Sequence, residues 1–274
     1  MVSQEQRRRQ LAREKFLRQQ QRRTSARRKA RTRNAAIASV LGVIVIGSVA
    51  LYTTGVVLKD DDDKTNANAE VTPSPSASKK AEDPCDKPAE GKVKTQTWKK
   101  EPAMTIDKSA KYAMKLSTTC GDIGIDLKTS AAPHTVNSFN FLAEKGFFDH
   151  TPCHRLTTNG IFVLQCGDPT GQGNGGPGYN IPDENLKDES LKKNTYPAGT
   201  IAMANTGQPN SGGSQFFLVY QDSPLPPSYT PFGTISEDGM TVLKKIAAAG
   251  ESTGAGDGAP NATVVIDKAT VSKS

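Results

Sequence analysis

The sequence predicts a mainly β globular domain behind an N-terminal transmembrane helix. Three observations carry this. From about residue 101 the chain is a series of short apolar runs divided by Gly, Pro, Asn and Asp, and only two segments have helical period. Residues 35–58, "AAIASVLGVIVIGSVALYTTGVVL", run for 24 residues without a charge. Residues 1–34 hold 13 Lys/Arg against Glu5 and Glu14.

The tail therefore carries +11 while the whole chain carries +7, which leaves −4 for residues 35–274. The basic character belongs to a tail that stops where the apolar run starts, so no nucleic-acid partner is expected. A helix rising ~1.5 Å per residue needs about 20 apolar residues to cross the hydrocarbon core. Basic flanks stay in the cytoplasm. The expected layout is a basic cytoplasmic tail over 1–34, a single-pass anchor in the cell-membrane bilayer over 35–58, and everything after it extracytoplasmic. A cleaved secretory signal competes, with "SVA" at 48–50 as its cleavage site. Signal cores run about 7–15 residues, however, and this one continues to Leu58.

Residues 59–100 open with "KDDDDK" and continue Pro/Ser/Ala-rich and polar. That composition cannot bury enough surface to offset its ordering entropy, and it reads as a disordered tether. Cys85 and Trp98, the only Trp, are the residues there suited to docking on the domain. All four cysteines (Cys85, Cys120, Cys153, Cys166) lie beyond the anchor, where disulfides persist. Three pairings are possible, and there is no C-x-x-C.

Within 101–274, "CGDIGIDL" alternates, with Ile123, Ile125 and Leu127 on one face of a strand. In "APHTVNSFNFLAEKG" Pro133 suits a first helical turn, Val136, Phe139, Leu142 and Ala143 form one face, and Gly146 suits the end. "CHRLTTNGIFVLQCG" reads as strand, polar turn, strand. "TIAMAN", "SQFFLVY" and "FGTI" are short strands. "SEDG" reads as a turn, "MTVLKKIAAAG" as a second helix, and "TVVIDKATV" as a last strand. Short strands with two helices suggest an all-β barrel or sandwich.

"GQGNGGPGYNIPDEN" at 171–185 contains G-x-G-x-x-G, the spacing of a dinucleotide loop. That fingerprint must open a helix, yet Pro177, Gly178 and Pro182 follow at once. The glycines suit a surface loop with positive φ at several positions. His134, His150 and His154 lack the partners of a metal set, and Ser214 lacks the second glycine of a nucleophile elbow. No metal and no cofactor are expected. What remains is one cation and polar amides among apolar strand residues. Arg155 and Gln165 lie on the two arms of a hairpin, with Phe162 and Val163 between them, and Asn205, Gln215 and Phe217 come from later strands.

Over residues 113–271 these segments resemble the cyclophilins, the peptidyl-prolyl cis–trans isomerases. The resemblance rests on "GDIGIDL", "TVNSFNFLAEKGFFD", "HRL…FVLQCGDPTGQGNGGPGY…DE", "AGTIAMANTG", "NSGGSQFFLVY" and "YTPFGTI" in order. The anchor and tether look like those of membrane-bound actinobacterial members. The resemblance implies a closed eight-stranded antiparallel β-barrel capped by two α-helices, acting as a monomer on proline-containing polypeptides. It implies that Arg155 is the catalytic arginine, that Phe162 and Val163 floor the proline pocket, and that Gln165 lines it. Ala204 and Asn205 would meet the substrate backbone, Gln215 and Phe217 would form a second wall, and Leu225 and Tyr229 would close the rim. Two extra residues precede Phe162 and one precedes Gln215, so loop geometry there departs from the family. Tyr229 replaces a common His and Pro224 a Trp that contacts cyclosporin, which implies weak cyclosporin binding. If Arg155 faces Gln165 in register, Cys153 and Cys166 come close enough to bridge, and Cys85 with Cys120 would then staple the tether to the barrel. The alternatives are a non-catalytic proline-peptide binding module at the cell surface and a membrane organiser acting through the basic tail.

Overall fold

The computed structural model describes residues 83–273. The basic tail, the anchor over 35–58 and the tether up to residue 82 lie outside the described residues. Among the described residues no helix is long and apolar enough to cross a membrane.

Alternation builds the first hairpin. Strand β1 (Tyr112–Thr118) buries Met114 and Leu116, and β2 (Gly121–Leu127) buries Ile123, Ile125 and Leu127. They pair antiparallel from Tyr112↔Leu127 to Thr118↔Gly121. Helix α1 (Pro133–Glu144) follows with Val136, Phe139, Leu142 and Ala143 buried. Its N-terminus has no side-chain cap of its own. The Glu184 carboxylate serves instead, accepting from the N–H of His134 at 3.0 Å and of Thr135 at 2.9 Å. Helix α2 spans Glu237–Ala248, so "SEDG" is its cap and first turn rather than a free-standing turn. The Ser236 hydroxyl accepts from the N–H of Gly239, and Glu237 and Asp238 complement the helix dipole.

The other strands are β3 (Thr151–Pro152), β4 (Arg155–Thr157), β5 (Val163–Cys166), β6 (Thr195–Tyr196), β7 (Thr200–Met203), β8 (Phe216–Val219), β9 (Ser223–Pro224), β10 (Pro231–Ile235), β11 (Asp257–Gly258) and the longer β12 (Val265–Lys273). Ten of the twelve described strands form one curled antiparallel sheet in the order β11-β4-β5-β8-β7-β10-β2-β1-β12-β3, and β6 pairs with β9 separately. The expected ring of eight strands is thus a ladder of ten with two ends. The end strand β3 is joined to β4, next to the other end, by only Cys153 and His154. The Cys153 N–H donates to Val264 O and the His154 N–H to Gln165 O, one toward each end of the sheet.

Strands β5, β8 and β7 are buried on both faces. Leu164, Phe216, Leu218, Ile201 and Met203 point into the main core, where Phe139 meets Phe148, Phe216 and Phe232 at ring-centroid distances of 4.6–5.6 Å. Their alternate residues Val163, Phe217, Val219 and Ala202 join Tyr196 in a second, smaller cluster on the opposite face. That second face is the floor of the site.

Residues 83–100, the described part of the predicted tether, contain no helix or strand but are held against the domain. The Cys85–Cys120 disulfide ties them to the β1–β2 turn. The Asp86 N–H donates to Thr119 O, and Lys94 Nζ donates to Lys145 O. Trp98 then packs edge-on against Phe141, with centroids 5.0 Å apart, and tilts over Phe147 at 6.0 Å.

Candidate active site

The β4–β5 hairpin sets Arg155 directly opposite Gln165, and Leu156 opposite Leu164. A disulfide joins Cys153 to Cys166 beside that pair. Strand β8 continues the ladder with Phe217 opposite Gln165, and Ala202 on β7 opposite Phe217. Side chains two residues apart share a face, so Val163, Gln165, Phe217 and Ala202 all turn outward. Val163, Gln165 and Phe217 line a cavity of about 120 Å³ bordered by Arg155, Ile161, Ala204, Asn205, Leu225 and Tyr229.

The structure brings Arg155, Val163, Gln165, Ala204, Asn205, Phe217, Leu225 and Tyr229 to this one cavity. Phe162 is not among its lining residues, and Ile161 takes the place expected for it. The reason is strand parity: Ile161, Val163 and Gln165 are spaced by two and share a face, while Phe162 turns to the other side. There its ring meets Tyr220 edge-on at 5.9 Å, and its N–H donates to Ser223 Oγ at 2.9 Å. The extra residues after Arg155 fold into a tight turn in which the Ile161 N–H donates to Asn159 O. Alternation counted back from Gln165 was the signal that could have found Ile161.

Gln215 does not line the cavity but is hydrogen-bonded to Gln165, which does. Gln165 Nε2 donates to Gln215 Oε1 at 2.9 Å, and Gln215 Nε2 donates to Gly175 O at 2.9 Å. The rim is fixed from below by a buried tyrosine. The Tyr196 hydroxyl donates to Tyr229 O at 2.6 Å and accepts from the Tyr229 N–H at 3.1 Å. Burial pushes the Tyr196 phenol up to about 12, so it stays a neutral donor. Asn205 Nδ2 reaches Ser228 O at 2.7 Å and ties the same rim to the end of β7.

Arg155 is held on two sides. Its Nη1 donates to Gln165 Oε1 at 3.1 Å, and Asp257 on β11 receives Nε and Nη2 at 2.7 and 2.9 Å. These bonds to Asp257 raise the guanidinium pKa further, so it is charged at any working pH. Sequence reading missed Asp257. It sits 102 residues from Arg155 on a two-residue strand inside a Gly-rich loop, where no periodic pattern marks it.

A second groove of about 470 Å³ adjoins the cavity and shares Gln165, Ala204 and Asn205 with it. Its far wall is the glycine-rich loop, with Gly173 to Asn180 all contributing. Asp168 organises this loop. Its buried carboxylate accepts from the Thr170 N–H and hydroxyl and from the Asn174 N–H. Burial alone would raise its pKa, but hydrogen bonding from Thr170 and from the Gly175 and Gly173 backbone carries it below the ordinary range. Gly175 has to be glycine, because a Cβ there would run into the Asp168 carboxylate. Behind the loop stands the docked N-terminal segment. The Trp98 N–H donates to Pro177 O at 2.8 Å, and a Cβ on Gly178 would lie 2.8 Å from Trp98 O.

A curled antiparallel sheet with two helices, carrying an arginine beside a small apolar cavity, defines a cyclophilin-type site. A family model described as cyclophilin type peptidyl-prolyl cis-trans isomerase/CLD matches residues 113–271, and the chain belongs to this family. It is 45% identical over 208 residues to the "Probable peptidyl-prolyl cis-trans isomerase B" of Mycobacterium tuberculosis, which covers 73% of this chain and 62% of that protein. The protein of the same name in Mycobacterium leprae is 45% identical over 211 residues, covering 74% of this chain and 67% of that one. A Helicobacter pylori peptidyl-prolyl cis-trans isomerase is 38% identical over 133 residues, covering 48% and 77%. The match thus spans less than two thirds of the M. tuberculosis protein. Among solved structures, a cyclophilin type isomerase of Cryptosporidium parvum has a TM-score of 0.50 at 26% identity, covering 60% of this chain and 99% of that one.

Proposed function

We propose that this chain is a peptidyl-prolyl cis–trans isomerase that acts on exported, proline-containing polypeptides. The observation that carries the reading is the cavity itself. At about 120 Å³ it is far below the ~300–1,000 Å³ of pockets for drug-sized ligands, and it suits one small ring. Its floor is apolar, a fixed cation stands at its edge, and no Ser, Cys, His or carboxylate lines it. That set fits a reaction without covalent chemistry.

Rotation about an X–Pro bond is opposed by amide resonance, with a barrier of ~18–20 kcal/mol. Nothing has to be attacked; the twisted bond has to be favoured. Val163, Phe217 and Leu225 hold the proline ring, so rotation falls on the residue before it. The Arg155 guanidinium donates toward the prolyl nitrogen, which becomes a better acceptor as resonance is lost, and toward the prolyl carbonyl, which it holds in place. Its planar fork matches that geometry, which a lysine lacks.

We place the activity at the cell membrane, outside the cytoplasm, with residues 1–34 as the inner tail, 35–58 as a single-pass anchor in the lipid bilayer and the stretch from 59 as the tether. The uncharged run beside a basic tail supports this, as do two disulfides, which persist in oxidising compartments. Turnover separates this reading from a proline-peptide binding module. Arg155→Ala is expected to lower kcat/KM at least about tenfold, or ~1.4 kcal/mol, in a proline-peptide isomerisation assay. Near wild-type turnover by a folded Arg155→Ala protein refutes it.

A further inference from the structure

Arg155 has five N–H donors, and three are committed: Nε and one Nη2 hydrogen to Asp257, one Nη1 hydrogen to Gln165. One hydrogen remains on each terminal nitrogen. The two parallel bonds to Asp257 fix the plane of the guanidinium, and so fix where those last two donors point.

Asp257 is itself well held. On β11 it pairs with Thr157, two residues along the strand from Arg155. Its carbonyl accepts from Thr253 Oγ1 at 3.2 Å. The preceding turn is tied by the Glu251 carboxylate, which accepts from the Thr253 N–H, the Thr253 hydroxyl and the Gly256 N–H at 2.6, 2.7 and 2.8 Å. Glu251, the turn, Asp257 and Arg155 thus form a continuous support that ends at the cavity. The pair is too exposed to matter much for folding, at 36% and 56% of side-chain surface. Its geometry is nonetheless bidentate.

We propose that Asp257 is a positioning residue for the isomerisation: it aims the free donors of Arg155 at the prolyl amide. This rests on the reading of Arg155 as the group that acts on the substrate. Rotation of the guanidinium would leave proline binding in place and weaken only the contacts to the twisted bond, so the effect belongs in kcat.

The test uses the full-length chain in detergent micelles, with Asp257→Ala, Asp257→Asn, Asp257→Glu, Arg155→Ala and the double variant Arg155→Ala/Asp257→Ala. Asp257→Ala is expected to lower kcat about five- to tenfold with KM and Tm close to wild type. Activity should rise in the order Ala, Asn, Glu, because Asn keeps one acceptor and Glu keeps both. The Arg155 Nε–H NMR resonance should be sharp in the wild type and exchange-broadened in Asp257→Ala. In the double variant Asp257→Ala should add nothing to the Arg155→Ala loss. If Arg155→Ala is impaired but Asp257→Ala turns over normally, or if the two losses multiply, the positioning role is wrong and the cavity reading stands. An Asn variant no better than Ala also overturns it. An active Arg155→Ala protein takes down the cavity reading, and this proposal with it.

Discussion

Gln165 donates to Gln215 across the β5–β8 ladder, and Gln215 in turn donates to the carbonyl of Gly175. The small cavity and the glycine-rich groove therefore meet at this pair of amides. Gln215→Ala leaves Gly175 O and the Gln165 amide without this partner. The expected result is a stability loss of about 1 kcal/mol and a severalfold lower kcat/KM. Gln165→Ala and Gln215→Ala should be non-additive by at least ~0.5 kcal/mol in a double-mutant cycle on kcat/KM. Additive effects would show the amides to be independent.

The two disulfides should differ in what they protect. By the loop-entropy relation Cys153–Cys166, at a separation of 13, is worth about 3 kcal/mol, and Cys85–Cys120, at a separation of 35, about 4 kcal/mol. Cys153→Ser/Cys166→Ser is expected to lose both stability and turnover, since the bridge joins the strands that bear Arg155 and Gln165. Cys85→Ser/Cys120→Ser should lose stability while kcat stays near wild type. Urea titrations with and without reductant, paired with the isomerase assay, read both. Unchanged urea midpoints on reduction would contradict the first half, and equal kcat losses the second.

His154 sits under the groove with neither ring nitrogen hydrogen-bonded. Burial lowers its pKa, the nearby Asp168 opposes that, and Arg155 adds to it. A histidine depressed in the fold takes up its proton more readily when unfolded. The unfolded state therefore binds more protons as pH falls below ~6.5, and stability drops in that window. Asp168 works in the same direction but lower. Its depressed carboxyl contributes stability above the ordinary carboxylate range, near ~3.9, which is lost as pH falls through its folded value. Urea midpoints measured from pH 7.5 to 5.5 should decline for the wild type and flatten for His154→Phe. A variant with the wild-type slope would assign the titration elsewhere.

Much of the site was readable because strand alternation and residue chemistry agree. Val163 and Gln165 share a face by a period of two, while the register that puts Arg155 opposite Gln165 and Phe217 beside it lies beyond that period and comes from the hairpin and the β5–β8 pairing. Phe162, expected at the pocket floor from the resemblance, lies outside the cavity lining where a tight turn at Asn159–Ile161 precedes the strand and parity sets Ile161 on the cavity side. Strand β1 went unnamed although Met114 and Leu116 alternate in it, because Lys115 and the flanking polar residues dilute the run. Asp257 and the Glu251 turn were illegible for a different reason: they are fixed by long-range pairing of a two-residue strand, which leaves no local pattern. Trp98 was suspect only for being a lone aromatic in a polar stretch; its backing of Pro177 depends on tertiary contacts that sequence does not encode locally.

The Cys85–Cys120 bond lies two residues from Asp83, ahead of every other contact of the docked segment apart from those of Asp83 itself. A pull arriving from the N-terminal side is taken up there by a covalent link into the β1–β2 turn. Trp98 and its bond to Pro177 lie downstream of that link. Tension applied to the N-terminal stretch therefore loads the β1–β2 turn, and the segment between Asp86 and Trp98 that backs the groove is bypassed.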